Sequence, residues 1–142
     1  MVVLGRAWAL ALLPLLLLPA PASADSMTSV QFGVLFCIGR LSGDMAPVLA
    51  VMTPELQALV EKADPATIRW QGKPDYASTC EPVGASGTYD APQVILSYRY
   101  READKPGFSD RLVMRFVDGL LRLDDILFAD GKSMRDSLAA QN

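Results

Sequence analysis

The sequence contains no histidine among its 142 residues, and this absence removes several classes of chemistry. Serine–histidine–aspartate and cysteine–histidine nucleophiles, histidine general bases and histidine-ligated zinc sites all require that side chain. Any proton transfer would therefore depend on carboxylates, tyrosine, lysine or arginine. The stretch Gly84-Ala85-Ser86-Gly87 also lacks the spacing and the following lysine of a phosphate-binding P-loop.

Asp125, Tyr98 and Tyr100 are the residues whose types and predicted positions could form a site. A carboxylate in an apolar concave pocket beside phenols can act as a general base, and a tyrosine can stabilise developing negative charge. The same residues could instead bind a small ligand without catalysis. A third interpretation is structural, with the aspartate at a solvated strand end and the tyrosine hydroxyls reaching water. We predict ligand binding and assign no catalytic residue, with catalysis by Asp125 as the alternative.

The two cysteines, Cys37 and Cys80, predict one structural disulfide. An even cysteine count in an exported chain favours a disulfide over free thiols. The spacing is not that of a Cys-x-x-Cys redox pair, so the bridge has no predicted catalytic role. The alternative is two buried thiols that do not meet, because pairing requires Cα atoms within about 7 Å.

Two further groups of residues have both a functional and a structural interpretation. Trp70, with Tyr76 nearby, is either an exposed anchor for a protein partner or a plug at the base of the core. Several arginines on predicted strands form either a basic stripe that recognises an anionic partner or a solvated face interleaved with acidic residues. These arginines are Arg99, Arg101, Arg111, Arg115 and Arg122.

Three aspartates near the C-terminus, Asp124, Asp125 and Asp130, lack the ordered ligand spacing of a calcium loop. The sequence therefore predicts no metal site and no cofactor. The net charge of −3 argues against nucleic acid or an anionic membrane surface as the main partner, because both favour clustered lysine and arginine. The remaining candidate partners are a small ligand and another protein, and the oligomeric state is not predicted.

Three helices are predicted before the first strand. The first runs from Ser29 to Leu41 and is ended by Gly43. Asp44 is predicted to cap a second short helix, Met45 to Val51, with Pro47 in its first turn. The apolar residues that recur at helical spacing in the first helix are Val30, Val34, Cys37, Ile38 and Leu41.

Thr53-Pro54-Glu55 is a strong start signal for the third helix. The hydroxyl can cap the helix, proline at the first helical position loses no hydrogen bond, and the acid lies near the positive end of the helix dipole. Asp64-Pro65 predicts the end of this helix. Its predicted buried stripe consists of Leu56, Leu59, Val60 and Ala63.

The second half of the chain has the pattern of strands. Residues 69–89 are punctuated by glycine and proline, which indicates a loop followed by an irregular edge strand from Cys80 to Tyr89. Gln93 to Arg101 alternates apolar and polar residues, which predicts a strand with one buried face. After a polar turn, Arg111 to Val117 alternates again.

Asp118-Gly119 lies between two such runs and predicts a two-residue type I′ hairpin turn, which needs positive φ at both positions. The turn fixes the register, and its consequence is that Asp125 falls on the apolar face opposite Leu112. The predicted pairs are Val117–Leu120, Phe116–Leu121, Arg115–Arg122, Met114–Leu123, Val113–Asp124 and Leu112–Asp125.

Residues 1–24 are predicted to be a cleavable secretory signal. One charge, Arg6, precedes the apolar stretch Ala7 to Leu18, and the segment ends with the small residues Ala22-Ser23-Ala24. The apolar stretch is shorter than the about 20 residues of a transmembrane helix. We therefore predict one mature domain, residues 25–142, in the periplasm, with the extracellular space as the alternative.

Two parts of the chain resemble a family of small exported bacterial proteins of unknown function. The first is Phe36-Cys37-Ile38-Gly39-Arg40-Leu41-Ser42-Gly43-Asp44 with Thr53-Pro54-Glu55-Leu56, and the second is Leu121-Arg122-Leu123-Asp124-Asp125-Ile126 with Gly131-Lys132-Ser133-Met134-Arg135. Leu121 stands where related sequences often have tryptophan. The family is thought to adopt the cystatin-like roll of nuclear transport factor two, so the resemblance implies that fold and an exported protein, but no function.

The order of elements also predicts an α+β fold: N-terminal helices packed on a curved, mainly antiparallel four-stranded sheet, with a short C-terminal helix. Ser133 and Asp136 resemble a capping box that starts this last helix, which runs through Ala140. Two functions fit such a chain. One is an exported binding or interaction module, and the other is a small roll-type enzyme in which Asp125 is the base and Tyr98 or Tyr100 stabilises negative charge.

Overall fold

The computed structural model describes residues 26–141, so the predicted signal segment lies outside the described residues. The described part of the chain is α+β, with helices first, then strands, then a short closing helix. The helices are α1 (Ser29–Ser42), α2 (Ala46–Leu49), α3 (Pro54–Lys62) and α4 (Met134–Ala139), and a 3₁₀ turn (Pro65–Thr67) follows α3. The strands are β1 (Thr79–Gly87), β2 (Pro92–Arg99), β3 (Phe108–Val117) and β4 (Leu120–Leu127).

The four strands form one curved, unclosed antiparallel sheet in the order β1-β2-β3-β4. Because the spatial order equals the chain order, each strand is joined to the next without a crossover. One face of the sheet packs against the helices and forms the core, to which β2 contributes Val94, Leu96 and Tyr98. The predicted fold class is therefore confirmed.

Helix α1 begins and ends where the sequence predicts, but its orientation separates its apolar residues. Thr28 and Gln31 form a capping box at its start, and Gly43 ends it with a φ of +80°. Cys37 is buried, together with Phe32 and Phe36. The other four apolar residues at helical spacing are exposed, and they are Val30, Val34, Ile38 and Leu41. Burial of the two phenylalanines removes more apolar surface from water than burial of the smaller aliphatics would.

The start of α3 is confirmed: Pro54 is its first residue, and the Thr53 hydroxyl accepts a hydrogen bond from the backbone N–H of Leu56. In contrast, α2 is shorter than predicted. The backbone groups of Val51 and Thr53 pair with Leu123 of β4, at 2.9 and 2.8 Å, and this pairing ends the helical path. A long-range backbone contact therefore overrides the local helical pattern.

β1 is an edge strand, as predicted, and a bulge interrupts its pairing with β2 between Pro82 and Gly84. It is tied to α1 by the disulfide between Cys37 and Cys80, whose Cα atoms are 5.3 Å apart. The predicted disulfide is confirmed. The bridge holds the first helix against an edge of the sheet that has no partner strand among the described residues.

The hairpin between β3 and β4 confirms the predicted turn, with φ of +50° at Asp118 and +76° at Gly119. The four predicted pairs nearest the turn are observed, from Val117–Leu120 to Met114–Leu123. The pairing of Asp125 with Leu112 is wrong, because the register shifts by one residue after Met114–Leu123. Asp124 is the extra residue of this bulge, and the observed pairs beyond it are Val113–Asp125, Leu112–Ile126 and Arg111–Leu127. Ile126 rather than Asp125 is therefore buried in the core.

Candidate functional site

The predicted ligand-binding tyrosines occupy different environments. Tyr98 is fully buried, and its ring stacks on Phe108 with the ring centroids 4.6 Å apart. Burial raises the pKa of the Tyr98 phenol well above its ordinary value, and its hydroxyl has no hydrogen-bond partner among the described residues. Tyr100 is half-buried, and its hydroxyl donates to the backbone carbonyl of Asp75 at 3.1 Å.

Asp125 lies apart from both tyrosines. Its Oδ1 accepts from the backbone N–H of Ile126 at 2.8 Å and of Arg135 at 3.0 Å, at the start of α4. Its cross-strand neighbour Val113 pairs with Gln93, whereas Tyr98 pairs with Phe108 near the opposite end of β2. With about 3.3 Å per residue, this separation along the sheet is about 17 Å. The structure therefore does not bring Asp125 together with Tyr98 and Tyr100.

A cleft of about 510 Å³ lies at the segment between α3 and β1, and we call it the main cleft. It is lined by residues 66–74 together with Tyr76 and Asp130. A second cleft of about 140 Å³, the side cleft, shares Trp70 and Tyr76 with the main cleft and is otherwise lined by residues at the C-terminal end of α1 and the start of α2. The two aromatic residues therefore border both clefts.

A buried glutamine organises the loop that carries these aromatics. The side-chain nitrogen of Gln71 donates to the backbone carbonyls of Lys73 and Asp75, at 2.7 and 2.6 Å. Its side-chain oxygen accepts from Arg40 of α1. The loop therefore folds around one amide, and this amide is anchored to the first helix.

Asp110 of β3 anchors the same loop to the sheet. Its two carboxylate oxygens accept from the backbone N–H groups of Gly72 and Ala129, at 2.7 and 2.9 Å. A Cβ at position 72 would lie 2.5 Å from the carboxylate, so this close approach requires glycine. Burial raises the pKa of the Asp110 carboxyl, and the N–H groups of Ala129 and Gly72 oppose the shift.

Three cationic side chains surround the two clefts. Arg69 donates to the Gly72 carbonyl at 2.8 Å and pairs with Asp130 at 3.1 Å. Lys73 is exposed and forms no ion pair with the described residues. Arg40 is buried, and its guanidinium lies 4.1 Å from the centroid of the Tyr76 ring. Because Asp130 also lines the main cleft and pairs with Arg69, Lys73 is the cation without an ion-pair partner there, and Arg40 is the cation of the side cleft.

The guanidinium of Arg40 is incompletely satisfied. Its Nε has no hydrogen-bond partner among the described residues, and burial lowers the pKa of the group. A buried donor without a partner is costly, so such a group favours a ligand or an ordered water beside it.

Trp70 and Tyr76 differ in exposure, and each fits one of the two roles that the sequence suggests, a plug at the base of the core or an exposed anchor. Trp70 is partly buried and packs against the core, whereas Tyr76 is 68% exposed. Sequence reasoning did not identify Arg40, Gln71 or Asp110. For Arg40 a signal was present, because it is the only charged residue of α1.

Three of the arginines on the strands have close partners. Arg99 pairs with Glu81, and Arg115 pairs with Glu55 at 3.0 Å. Arg122 donates to the backbone carbonyl of Ala50 at 3.0 Å. These contacts agree with a solvated face on which acidic residues are interleaved with the arginines, more than with an unpaired basic stripe.

Comparison of the chain with protein-family models, with curated proteins and with solved structures finds no match. The resemblance to the family with a cystatin-like roll therefore stays a prediction. None of the helices within residues 26–141 is long and apolar enough to cross a membrane.

Proposed function

We propose that this protein is an exported, non-catalytic binding module, and that the main cleft binds a small organic anion with a flat apolar body. The observation that carries the proposal is that Trp70 and Tyr76 line the main cleft together with Arg69 and Lys73, and also line the side cleft, where Arg40 is the cation. Aromatic faces accept the ring of such a ligand, and the cationic groups attract its acidic group.

The size and construction of the main cleft support this proposal. Small-molecule sites usually enclose about 300–1,000 Å³, and the main cleft has about 510 Å³. Its loop is held by Gln71 from within and by Asp110 from the sheet, so the aromatic residues are positioned before a ligand arrives. Pre-organisation of this kind lowers the entropy cost of binding.

The enzyme alternative has no comparable support. The Oδ1 atom of Asp125 already accepts two backbone N–H groups, and neither Asp125 nor the two tyrosines lines the main cleft. We therefore propose that the protein binds its ligand in the main cleft and not at these three residues. Export to the periplasm and membership of the roll family remain parts of the proposal, supported by the disulfide and by the quoted motifs respectively.

Nuclear magnetic resonance titration tests the proposal directly. In a chain that begins at Asp25, Trp70 is the only tryptophan, so its indole N–H gives one assignable signal from the wall of the cleft. We expect 1-naphthoate to shift this signal in a saturable manner. Its neutral analogue, 1-naphthamide, has the same ring system and should bind more weakly, because it lacks the charge.

Two lysine variants separate a specific site from general charge attraction. Lys73→Ala should weaken 1-naphthoate binding about two- to fivefold, as expected for one exposed charge contact. Lys62→Ala removes the same charge from the exposed end of α3 and should leave binding unchanged. Equal binding of the two probes, or equal loss in the two variants, would contradict an anion site in the main cleft.

A further inference from the structure

The wall of the side cleft differs in chemistry from the wall of the main cleft. The main cleft has an acidic residue, Asp130, beside its cations, whereas the side cleft has one charged residue, Arg40, and no carboxylate. The rest of the side-cleft wall consists of two glycines, a thioether and two aromatic rings. The residues that line it are Gly39, Arg40, Gly43, Met45, Trp70 and Tyr76. The side cleft is therefore a small, mainly apolar space with a single positive charge.

Arg40 is a buried cation without a counter-ion. Only 7% of its surface is exposed, and it is the only arginine or lysine among residues 26–141 that is buried. It forms no ion pair with the described residues. Asp110 acts on it through space, but the Asp110 oxygens accept the N–H groups of Gly72 and Ala129. A buried charge is normally paired, because leaving it alone in an apolar surrounding is costly.

The hydrogen bonding of the Arg40 guanidinium is incomplete as well. One terminal nitrogen donates to Gln71, and Tyr76 covers the group with its ring, but Nε has no partner among the described residues. Arginine stays protonated in proteins, so the Nε–H donor is always present. A water molecule would supply only the missing acceptor. An anion would supply both the acceptor and the missing negative charge.

We propose that the side cleft is a second binding site, and that it takes a short aliphatic monocarboxylate. The carboxylate accepts from the Arg40 guanidinium, whose planar fork suits that group, and the alkyl chain lies against Met45 and the aromatic rings. One cation in the wall matches one acidic group on the ligand. The cleft has about 140 Å³, and an apolar cavity of about 150 Å³ accommodates benzene, so a chain as short as that of butyrate fits.

Tyr76 is the wall residue that moves when the carboxylate reaches Nε. Its ring centroid lies 4.1 Å from the Arg40 guanidinium, and 68% of the residue is exposed, so the ring can turn without opening the core. Trp70, in contrast, packs against the core and stays in place. The inference does not rest on the ligand of the main cleft, because neither Arg40 nor Met45 lines that cleft.

Nuclear magnetic resonance titration with sodium butyrate tests the site. The Nε–H signal of Arg40, identified by its absence from Arg40→Lys, should shift in a saturable manner. Butyramide has the same shape without the charge, and it should bind at least about tenfold more weakly.

Two arginine variants separate the proposed contact from general charge attraction. Arg40→Lys keeps the charge but loses the planar fork, so it should weaken butyrate binding at least about tenfold, as read from the Trp70 indole N–H. Arg101→Lys makes the same change at an exposed arginine outside both clefts and should leave binding unchanged.

Lys73→Ala distinguishes the two clefts. Lys73 lines the main cleft but not the side cleft, so this variant should weaken 1-naphthoate binding and leave butyrate binding unchanged. Failure of the main-cleft proposal and failure of the side-cleft proposal are therefore separate results.

Met45→Ala tests the alkyl part of the site and keeps the contact between Arg40 and Gln71. It enlarges the cleft, so affinity for hexanoate relative to butyrate should rise at least about fivefold. Leu41→Ala shortens an exposed aliphatic of α1 outside both clefts and should not alter this ratio.

Three outcomes would overturn the proposal. Butyrate and butyramide could bind equally, the Arg40 Nε–H signal could stay unmoved at every butyrate concentration, or Met45→Ala could leave the chain-length preference unchanged. An unmoved signal would show that Arg40 is only a structural link between α1 and the loop of Gln71. If Arg40→Lys does not fold, the butyramide comparison and Met45→Ala still decide the question.

Discussion

Asp110 is the buried carboxylate on which the cleft loop depends, because each of its oxygens accepts a backbone N–H from a different segment. Replacement by asparagine leaves one oxygen and one amide nitrogen in place of two acceptors. One of the two N–H groups, from Gly72 or Ala129, then loses its partner. We expect Asp110→Asn to lower the free energy of unfolding at neutral pH by about 1–3 kcal/mol.

The pH dependence of this loss follows from the raised pKa of Asp110. Between its ordinary and its raised pKa the folded state binds more protons than the unfolded state, so this carboxyl lowers the free energy of unfolding as pH rises. Asparagine does not titrate. The stability of the natural chain relative to Asp110→Asn should therefore be greatest at acidic pH and decrease as pH rises through that window.

Urea denaturation of both chains from pH 4 to pH 7 measures this difference. The exposed Asp104→Asn serves as the control and should change stability by less than about 0.5 kcal/mol. If the difference in free energy of unfolding between the natural chain and Asp110→Asn stayed constant or rose with pH, burial would not be the dominant effect on the pKa of Asp110.

Gly119 is the residue with positive φ that the β3–β4 turn cannot easily replace. Its φ is +76°, and a Cβ at this position would meet no atom within 4 Å. The cost of substitution is therefore conformational rather than steric crowding by neighbours. Gly119→Val should lower the free energy of unfolding by about 1–3 kcal/mol, measured by thermal or urea denaturation. An equally stable variant would mean that the turn tolerates another conformation.

At the level of elements, the bulge in β4 connects four parts of the fold. The extra residue, Asp124, accepts from the Thr53 hydroxyl at 3.0 Å and pairs with Arg135 at 2.5 Å and Arg115 at 3.4 Å. These partners belong to the cap of α3, to α4 and to β3. The bulge therefore places one carboxylate where the two helices meet the sheet edge.

Asp124 and its neighbour Asp125 form a matched pair for mutation. Asp124→Ala should lower the free energy of unfolding by about 1–3 kcal/mol, because Thr53 and Arg135 lose their common partner. Asp125→Asn should have little effect, since the retained carbonyl oxygen can still accept the N–H groups of Ile126 and Arg135.

Chemical denaturation of the two variants distinguishes the roles. A larger loss for Asp125→Asn than for Asp124→Ala would indicate that the pairing seen in the structure does not determine stability. If Asp125→Asn abolished a catalytic activity of the protein without lowering its stability, this result would support the enzyme hypothesis.

At the scale of the whole molecule, the disulfide joins segments 43 residues apart in sequence. In the chain-entropy model a closed loop of this length stabilises the fold by about 4 kcal/mol, through restriction of the unfolded chain. Cys37→Ala combined with Cys80→Ala should therefore lower the melting temperature markedly. Binding of 1-naphthoate should survive at temperatures where the variant is folded, because neither cysteine lines the main cleft.

Calorimetry and the naphthoate titration together check this prediction. Loss of binding in the folded variant would mean that the bridge positions the site as well as stabilising the fold. An unchanged melting temperature would show that the packing of α1 against β1 is sufficient without the bridge.

Several features were determined by short stretches of sequence. Thr53-Pro54 started a helix, Asp118-Gly119 formed the turn with positive φ, and the alternation after Gln93 gave a strand with one buried face. Each depends on interactions within a few residues, which is why the local pattern was sufficient. The disulfide was predictable for a different reason, since the chain has only two cysteines to pair.

The tertiary structure alone decided which face of α1 is buried, where β4 bulges and how the cleft loop is held. Each of these depends on groups far apart in the chain: Arg40 with Gln71, Asp124 with Thr53, and Asp110 with Gly72. Periodicity shows which residues share a face, but not which face the remaining chain will cover. The candidate site is consequently the cleft loop rather than Asp125 and the tyrosines. The glycine and proline pattern of this loop indicated only irregular structure. The loop is ordered by buried side chains that belong to other elements, and a local pattern does not show these.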